Sequence, residues 1–521
     1  MKGAVAAGHP LTAEVGARVL AEGGNAVDAC IAAAAVSWVT ESPLTGPGGG
    51  GFMLVHSART GVPRVLDFFV ALPGAGLTER PKGLLEEVNI TFAPGNATPY
   101  RVGGSAVAVP GAVAGLAEAH RLYATRSWAD LLAPATALAR GGIEVSPQQA
   151  RLHEVLDPVL RMTPGAREIY GEEEPLGVGD RLRMPDLADT LDVLAAEGAG
   201  ALHGGELGRR TVELVRDLGG CLTEADLRAY RVIRRRALRA PYRGHEFVSN
   251  PPPSSGGVLI AFALRVLDRL GAPPPPGTRA GVVRLAEVMR EATRARAGRF
   301  ASGLYRGGLA ATLLADATVG AAAERVSEGA RASAAEPVGL PSTTHISVVD
   351  ADGNAASHSC STGCGSGIVV PGTGIHLNNM LGEHDLNPEG GISAPGRRLT
   401  SMMSPSLVLR SGRPRLVLGS AGSARLRGAI VQLVENAIAH GMPLAEAIER
   451  PRVHLEGSVL HMEQAMGDGV ADELQRSGYD VVRWRDRNIF FGGASVVALG
   501  PEGGLEAAGD PRRGGAGVVV A

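Results

Sequence analysis

The chain has 521 residues, 45% hydrophobic and 20% charged, enough for one large core or two. Its 51 basic and 53 acidic side chains leave a net charge of −2, which gives no argument for nucleic acid or an anionic membrane as a partner. Four cysteines, Cys30, Cys221, Cys360 and Cys364, make no disulfide framework, and the C-x3-C pair has no second ligand pair to complete a metal site.

The first ten residues, Met1 to Pro10, hold too short an apolar run for a secretory signal, and Ala29 to Val39 is too short to span a bilayer. The expectation is a soluble cytoplasmic protein. Leu11, Val15 and Val19 are spaced for a helix that stops at Gly23-Gly24. Asn25 then caps a second helix, Ala26 to about Val39, whose alanines imply close burial. The run Gly48 to Gly51 precedes a strand rather than a helix and lacks a following Lys-Ser/Thr. It therefore signals close backbone approach rather than a phosphate cradle.

Arg64 to Phe69 reads as a strand, and Ser105 to Leu122 as strand, turn and helix. Helical periods follow at Trp128 to Arg140, Leu187 to Ala196 and Leu207 to Leu218, then a Thr223 cap with Glu224 and Asp226 in the first turn. Tyr230 to Ala240, with Arg234-Arg235-Arg236, reads as a solvated strand face. Asn250 to Gly257 is a proline-rich rigid loop opening a helix, and Pro273 to Pro276 joins two helices. Ser327 to Ser342 is small-residue and loop-like.

A strand then begins abruptly at Thr343-Thr344-His345 and runs to Asp350. The turn Asp350 to Asn354 leads into a second β run, Ala355 to Cys360, so the pair reads as a hairpin. A hydroxyl-rich loop, Ser361 to Gly367, is followed by Ile375 to Glu383. Arg398 to Pro405 precedes a strand at Ser406 to Leu409. Leu416 to Leu418 runs into the turn Gly419-Ser420-Ala421-Gly422-Ser423 and a helix from about Ala424 to His440. Such a turn offers backbone N–H groups to a negative charge, as an oxyanion hole requires. Asp510-Pro511-Arg512-Arg513 lies near the end.

Thr343-Thr344-His345 with Ser-Val-Val-Asp-x-Asp-Gly-Asn-Ala after it resembles the cleavage site of the gamma-glutamyltranspeptidase family of N-terminal-nucleophile hydrolases. Gly23 to Ala29, Gly48 to Phe52, Val109-Pro110-Gly111 and Asn250 to Gly257 resemble the same family in the same order. The resemblance implies an α/β fold, a four-layer αββα sandwich with antiparallel sheets. It implies self-cleavage before Thr343, giving segments 1–342 and 343–521 of one intertwined domain. Thr343 would then be the nucleophile, its free α-amine the base. An α-amine has an unperturbed pKa of about 8, so a useful neutral fraction exists at neutral pH.

Carried over by position, the family's supporting threonine falls on Ser359 or Ser361, depending on the direction of counting. Gly422 and Ser423 would supply oxyanion N–H groups, and Thr400 and Ser401 match the serine pair that contacts the substrate carboxylate. Glu383 replaces an aspartate, and Ser361 or Gly363 an asparagine. Phe69 stands where the family's carboxylate-clamping arginine would be, and Met380 where a Gln or Glu holds the substrate amine. The expected activity is hydrolysis of γ-glutamyl amides of a small molecule or peptide, with acyl transfer to water and to amines. Two alternatives stand beside it, an acylase with a non-glutamyl acyl group and an inactive, unprocessed binding protein. No metal or organic cofactor is implied.

Overall fold

The computed structural model describes all residues except 1, 80–82, 84, 94–95, 330–342, 384–385, 387–393, 423–424 and 501–503. The first two helices are where periodicity put them, at Pro10–Ala21 and Ala26–Thr40. Asn25 accepts from the Val27 and Asp28 amides, and Asp28 returns a bond to the Asn25 amide, a complete capping box. Every residue of the second helix is buried, which the short alanine side chains permit.

The expected hairpin forms from Thr344–Asp350 and Ala355–Ser361, with Thr344 opposite Cys360 and Val349 opposite Ala355. Asp350 closes its turn by accepting from the Asp352 and Asn354 amides, and its second oxygen accepts from the Ala26 amide. The far end of the hairpin is thereby fastened to the start of the buried helix. The hairpin lies inside a seven-stranded antiparallel sheet. Gly3–Ala7 pairs with one of its strands and Gly50–His56 with the other. The order continues outward to Ala516–Val520 on one side and to Arg64–Phe68 and Ile233–Arg236 on the other. Gly51 has no room for a side chain, since a Cβ would sit 2.1 Å from the Ser359 carbonyl oxygen. The glycine run therefore marks close backbone approach, as its sequence implied.

The second sheet has six antiparallel strands in the order Leu505–Gly509, Gly493–Leu499, Arg413–Ala421, Ser406–Arg410, His245–Ser249, Leu238–Tyr242. The inner faces of the two sheets meet through Phe52, Leu54, Val65, Val349, Leu407, Val417 and Val497. Helices including Ala26–Thr40 and Ala112–Tyr123 cover the first sheet, and Gly256–Arg269 and Arg425–Val434 cover the second. This is the αββα sandwich. One element was not anticipated. Val453–Glu456, Val459–Glu463 and Asp480–Trp484 form a separate small sheet whose last pairing is parallel, packed against Arg279–Arg294 and Asp468–Arg476. The helix expected over 424–440 is α-helical from Arg425 to Val434 and widens into a π-turn, Glu435–Ala439.

Both large sheets mix strands from 1–342 with strands from 343–521. A break before Thr343 would leave both pieces held by shared ladders.

Candidate active site

Thr343 directly precedes the hairpin strand Thr344–Asp350 and is 5% exposed. It lies at a cleft of about 350 Å³ that also takes in Phe69, Ser361, Met380, Glu383 and Ser401. Six of the residues singled out in the sequence, drawn from five separate stretches, thus meet at one place. The cleft is completed by Leu386, Met402, Met403 and Leu426. None of these four carries a polar signature, so nothing in the sequence marks them for a site.

The backbone at Thr343 and Thr344 is pinned from two sides. The Thr344 hydroxyl donates to Glu41 Oε2 at 2.7 Å, and the Arg513 guanidinium donates to the Thr343 carbonyl oxygen. Burial pushes the Glu41 carboxyl up, while the Arg513 charge pulls it back down.

Of the two serines that counting left open, only Ser361 reaches the cleft. It accepts from the Gly363 amide at 2.9 Å. Ser359 is a correction to the candidate list. Period-2 geometry keeps it on the same face as Ser361, but one step further along the strand it lies between the sheets. There its hydroxyl meets His345 Nδ1 at 2.7 Å. His345 Nε2 meets the Ser347 hydroxyl at 3.0 Å, and burial holds the ring neutral, well below its ordinary pKa.

Thr400 is the other residue of the pair matched in the sequence. It is buried beside Ser401 but does not line the cleft, and its hydroxyl has no hydrogen-bond partner among the described residues. Ser401 is held by the rigid loop predicted at 250–257. Its carbonyl accepts from the Ser254 and Ser255 hydroxyls at 2.9 and 3.0 Å. Gly422 stands at the turn from Arg413–Ala421 into Arg425–Val434, the helix whose Leu426 walls the cleft. Its φ of 132° lies in the region glycine favours, and its carbonyl accepts from the Arg425 amide. Ser423 lies outside the described residues.

Phe69 is buried and stacked on Phe52 with ring centroids 5.6 Å apart. The cations close to this wall are committed elsewhere. Arg235 and Arg398 both engage Asp67, at 2.7 and 3.3 Å, and Arg398 also lies over the Tyr230 ring. Among the described residues lining the cleft there is no Lys, Arg or His. Opposite, Glu383 comes close to Gly363, where a Cβ would meet Glu383 Oε1 at 2.6 Å and Asn379 Oδ1 at 1.9 Å. Burial, reinforced by the Glu383 charge, keeps the nearby Cys364 thiol protonated. A protonated, buried thiol is a poor nucleophile.

Two antiparallel sheets between helical layers, with a threonine opening an inner strand at the cleft, define an N-terminal-nucleophile hydrolase fold. The family model for gamma-glutamyltranspeptidase matches residues 12–520, and the chain belongs to that family of enzymes. Its relatives include proteins named as acylases and as glutathione hydrolases. The acylase ACY 1 proenzyme of Pseudomonas sp. (strain SE83) is 35% identical over 519 residues, 97% of this chain and 91% of that protein. The glutathione hydrolase proenzyme of Bacillus subtilis (strain 168) is 30% identical over 550 residues, 99% and 91% of the two chains. Among solved structures, cephalosporin acylase from Bacillus halodurans superposes with a TM-score of 0.84 at 26% identity, covering 99% of this chain and 95% of that one. Helicobacter pylori gamma-glutamyltranspeptidase gives a TM-score of 0.53 at 29% identity, over 61% of this chain and 90% of that one.

Proposed function

We propose that the chain is a self-processing acylase. It cuts itself before Thr343, leaving segments 1–342 and 343–521. It then hydrolyses amides whose acyl group is largely apolar and carries no carboxylate. In this reading the Thr343 α-amine takes the proton of its own hydroxyl as the oxygen attacks the amide carbonyl. The backbone at Gly422 serves the developing oxyanion, and Ser361 hydrogen-bonds the nucleophile. The C–N bond breaks as the leaving amine takes the proton back. Water, activated by the same α-amine, then cleaves the threonine ester.

The observation that carries the substrate assignment is the composition of the cleft wall. Phe69, Met380, Leu386, Met402, Met403 and Leu426 are apolar, and the one ionisable side chain among the described lining residues is Glu383. A substrate carboxylate there would lose its charge-assisted partner, worth about 1.5–3 kcal/mol, and face an anion instead. This argues against glutaryl as well as γ-glutamyl acyl groups.

The γ-glutamyl reading keeps a foothold in Ser401 and Glu383, which lie in the cleft as the family pattern requires. Purified protein assayed with hexanoyl, glutaryl and γ-glutamyl p-nitroanilides separates the two. Acylase activity predicts at least a tenfold preference in kcat/KM for hexanoyl, whereas preference for the γ-glutamyl compound overturns it. Absence of turnover on all three, with a single unprocessed band on a denaturing gel, would instead support the inactive binding protein.

A further inference from the structure

The base in this chemistry is an amine, and amines at a chain terminus are about nine-tenths protonated at pH 7 when their pKa is about 8. Thr343 stands between two opposite charges that come from distant parts of the chain. Arg513, from the turn after Asp510, donates to the Thr343 carbonyl oxygen. Covalent geometry keeps an α-nitrogen within about 3.6 Å of its own carbonyl oxygen, so the guanidinium is a near neighbour of the group that becomes the base. Glu41, directly after the Ala26–Thr40 helix, takes the Thr344 hydroxyl at 2.7 Å, one residue further along the strand.

We propose that Arg513 and Glu41 are opposed positioning residues that set the basicity of the Thr343 α-amine, Arg513 favouring its neutral form and Glu41 its protonated form. This rests on the reading of Thr343 as nucleophile. The cation is hydrogen-bonded to Thr343 itself, the anion to the residue after it. Arg513 Nη2 is buried with no hydrogen-bond partner among the described residues, and the charges of Glu41 and Asp510 act on this guanidinium. Its side chain is locked in place over Gly493, where a Cβ would lie 2.1 Å from Arg513 Cδ.

The other charges around the strand are accounted for. Glu383 lies across the cleft and opposes Arg513 together with Glu41. Asp67, at the end of Arg64–Phe68, is paired with Arg235 and Arg398. Asp510 is paired with Arg452 at 2.6 Å and Arg512 at 3.1 Å. His345, two residues along the same strand, is kept neutral by burial.

A like charge lowers the pKa of an ammonium group and an opposite charge raises it. The acidic limb of the kcat/KM profile reports this group in the free enzyme. The full chain is assayed on hexanoyl p-nitroanilide from pH 5 to 9. R513M should move the limb up by about one pH unit, so its loss of activity is several-fold greater at pH 6.5 than at pH 8.5. R513K keeps the charge and should leave the limb in place. E41Q should move it down. A processed, active wild type whose limb does not respond to R513M or E41Q, or moves the same way in both, overturns the inference and leaves the nucleophile intact. If the wild type turns over only the γ-glutamyl anilide, the same profiles are read on that substrate; failure to process, with no turnover of any of the three anilides, overturns the nucleophile reading itself. If R513M stays uncleaved, E41Q decides, and an unmoved limb counts against the proposal.

Discussion

Replacing Phe69 with arginine tests the substrate assignment from the opposite direction. The side chain is 1% exposed, lines the cleft with Thr343, and stacks on Phe52. An arginine there would point a cation into a space whose nearby guanidinium groups, on Arg235 and Arg398, are tied to Asp67. One charge-assisted hydrogen bond to a substrate carboxylate contributes about 1.5–3 kcal/mol. That corresponds to a rise of roughly 10- to 150-fold in kcat/KM for γ-glutamyl or glutaryl p-nitroanilide. Against it stand the lost burial of the phenyl ring, about 1.5–3 kcal/mol, and the aromatic pair, about 0.5–1.5 kcal/mol. F69R should therefore melt at a lower temperature while gaining activity on carboxylate-bearing substrates and losing it on hexanoyl p-nitroanilide. Steady-state kinetics on the three anilides, with circular dichroism melts, reads both effects. If the wild type already handles γ-glutamyl p-nitroanilide as well as the hexanoyl compound, or F69R changes all three alike, the wall does not select the acyl group.

T343A should run as one band of about 53.4 kDa on a denaturing gel, where the wild type gives two fragments. S361A should process slowly and lose roughly tenfold in kcat, the size of one hydrogen bond to the nucleophile. S359A should keep kcat but lose about 1–3 kcal/mol of stability, because it leaves buried His345 Nδ1 without its 2.7 Å partner. G363N should destabilise by about 1–3 kcal/mol, read from its thermal midpoint, because no side chain fits between Asn379 and Glu383. Acid should unfold the protein steeply. Burial lowers His376 to about 4 and His358 to about 3, with His345 and His454 lowered well below the ordinary value. The unfolded chain takes up these protons below pH about 6.5 and the folded chain does not. Each such histidine contributes stability that is fully present above that pH and falls by up to about 1.4 kcal/mol per unit as pH drops toward the folded values. Thermal midpoints that stay flat from pH 7.5 to 5 would contradict this.

Much of the fold was legible because its signals are local. Asn25 and Asp28 close a capping box three residues apart, Asp350 to Asn354 form a turn within one loop, and Gly51 shows its lack of space by being glycine. The site was legible only where one position decides the chemistry. Ser359 and Ser361 are equivalent by strand period, and the distance along the strand to the cleft is a tertiary fact. Glu41 and Arg513 lie 303 and 170 residues from their partners Thr344 and Thr343, so no spacing rule could join them. Met402, Met403 and Leu426 look like any core side chain. What distinguishes them is that one face of the core opens beside a nucleophile. The parallel pairing of Val459–Glu463 with Asp480–Trp484 was missed because a short helical crossover separates two brief, unremarkable β runs.

The departures from the family pattern are coupled through volume and charge. Gly363, where the Ser361 match leaves the family's asparagine position, has no side chain. Glu383, one methylene longer than aspartate, puts Oε1 2.6 Å from the Cβ that Gly363 lacks. Restoring the shorter acid alone would open a gap, and restoring the asparagine alone would collide with Asn379 Oδ1 at 1.9 Å. On the opposite wall, an arginine at position 69 would have to displace an aromatic stack. Placing the family's residues at positions 69, 363 and 383 together therefore takes coordinated changes on both sides of the cleft. Thr343, Ser361 and the strand pairings that hold them depend on none of those changes.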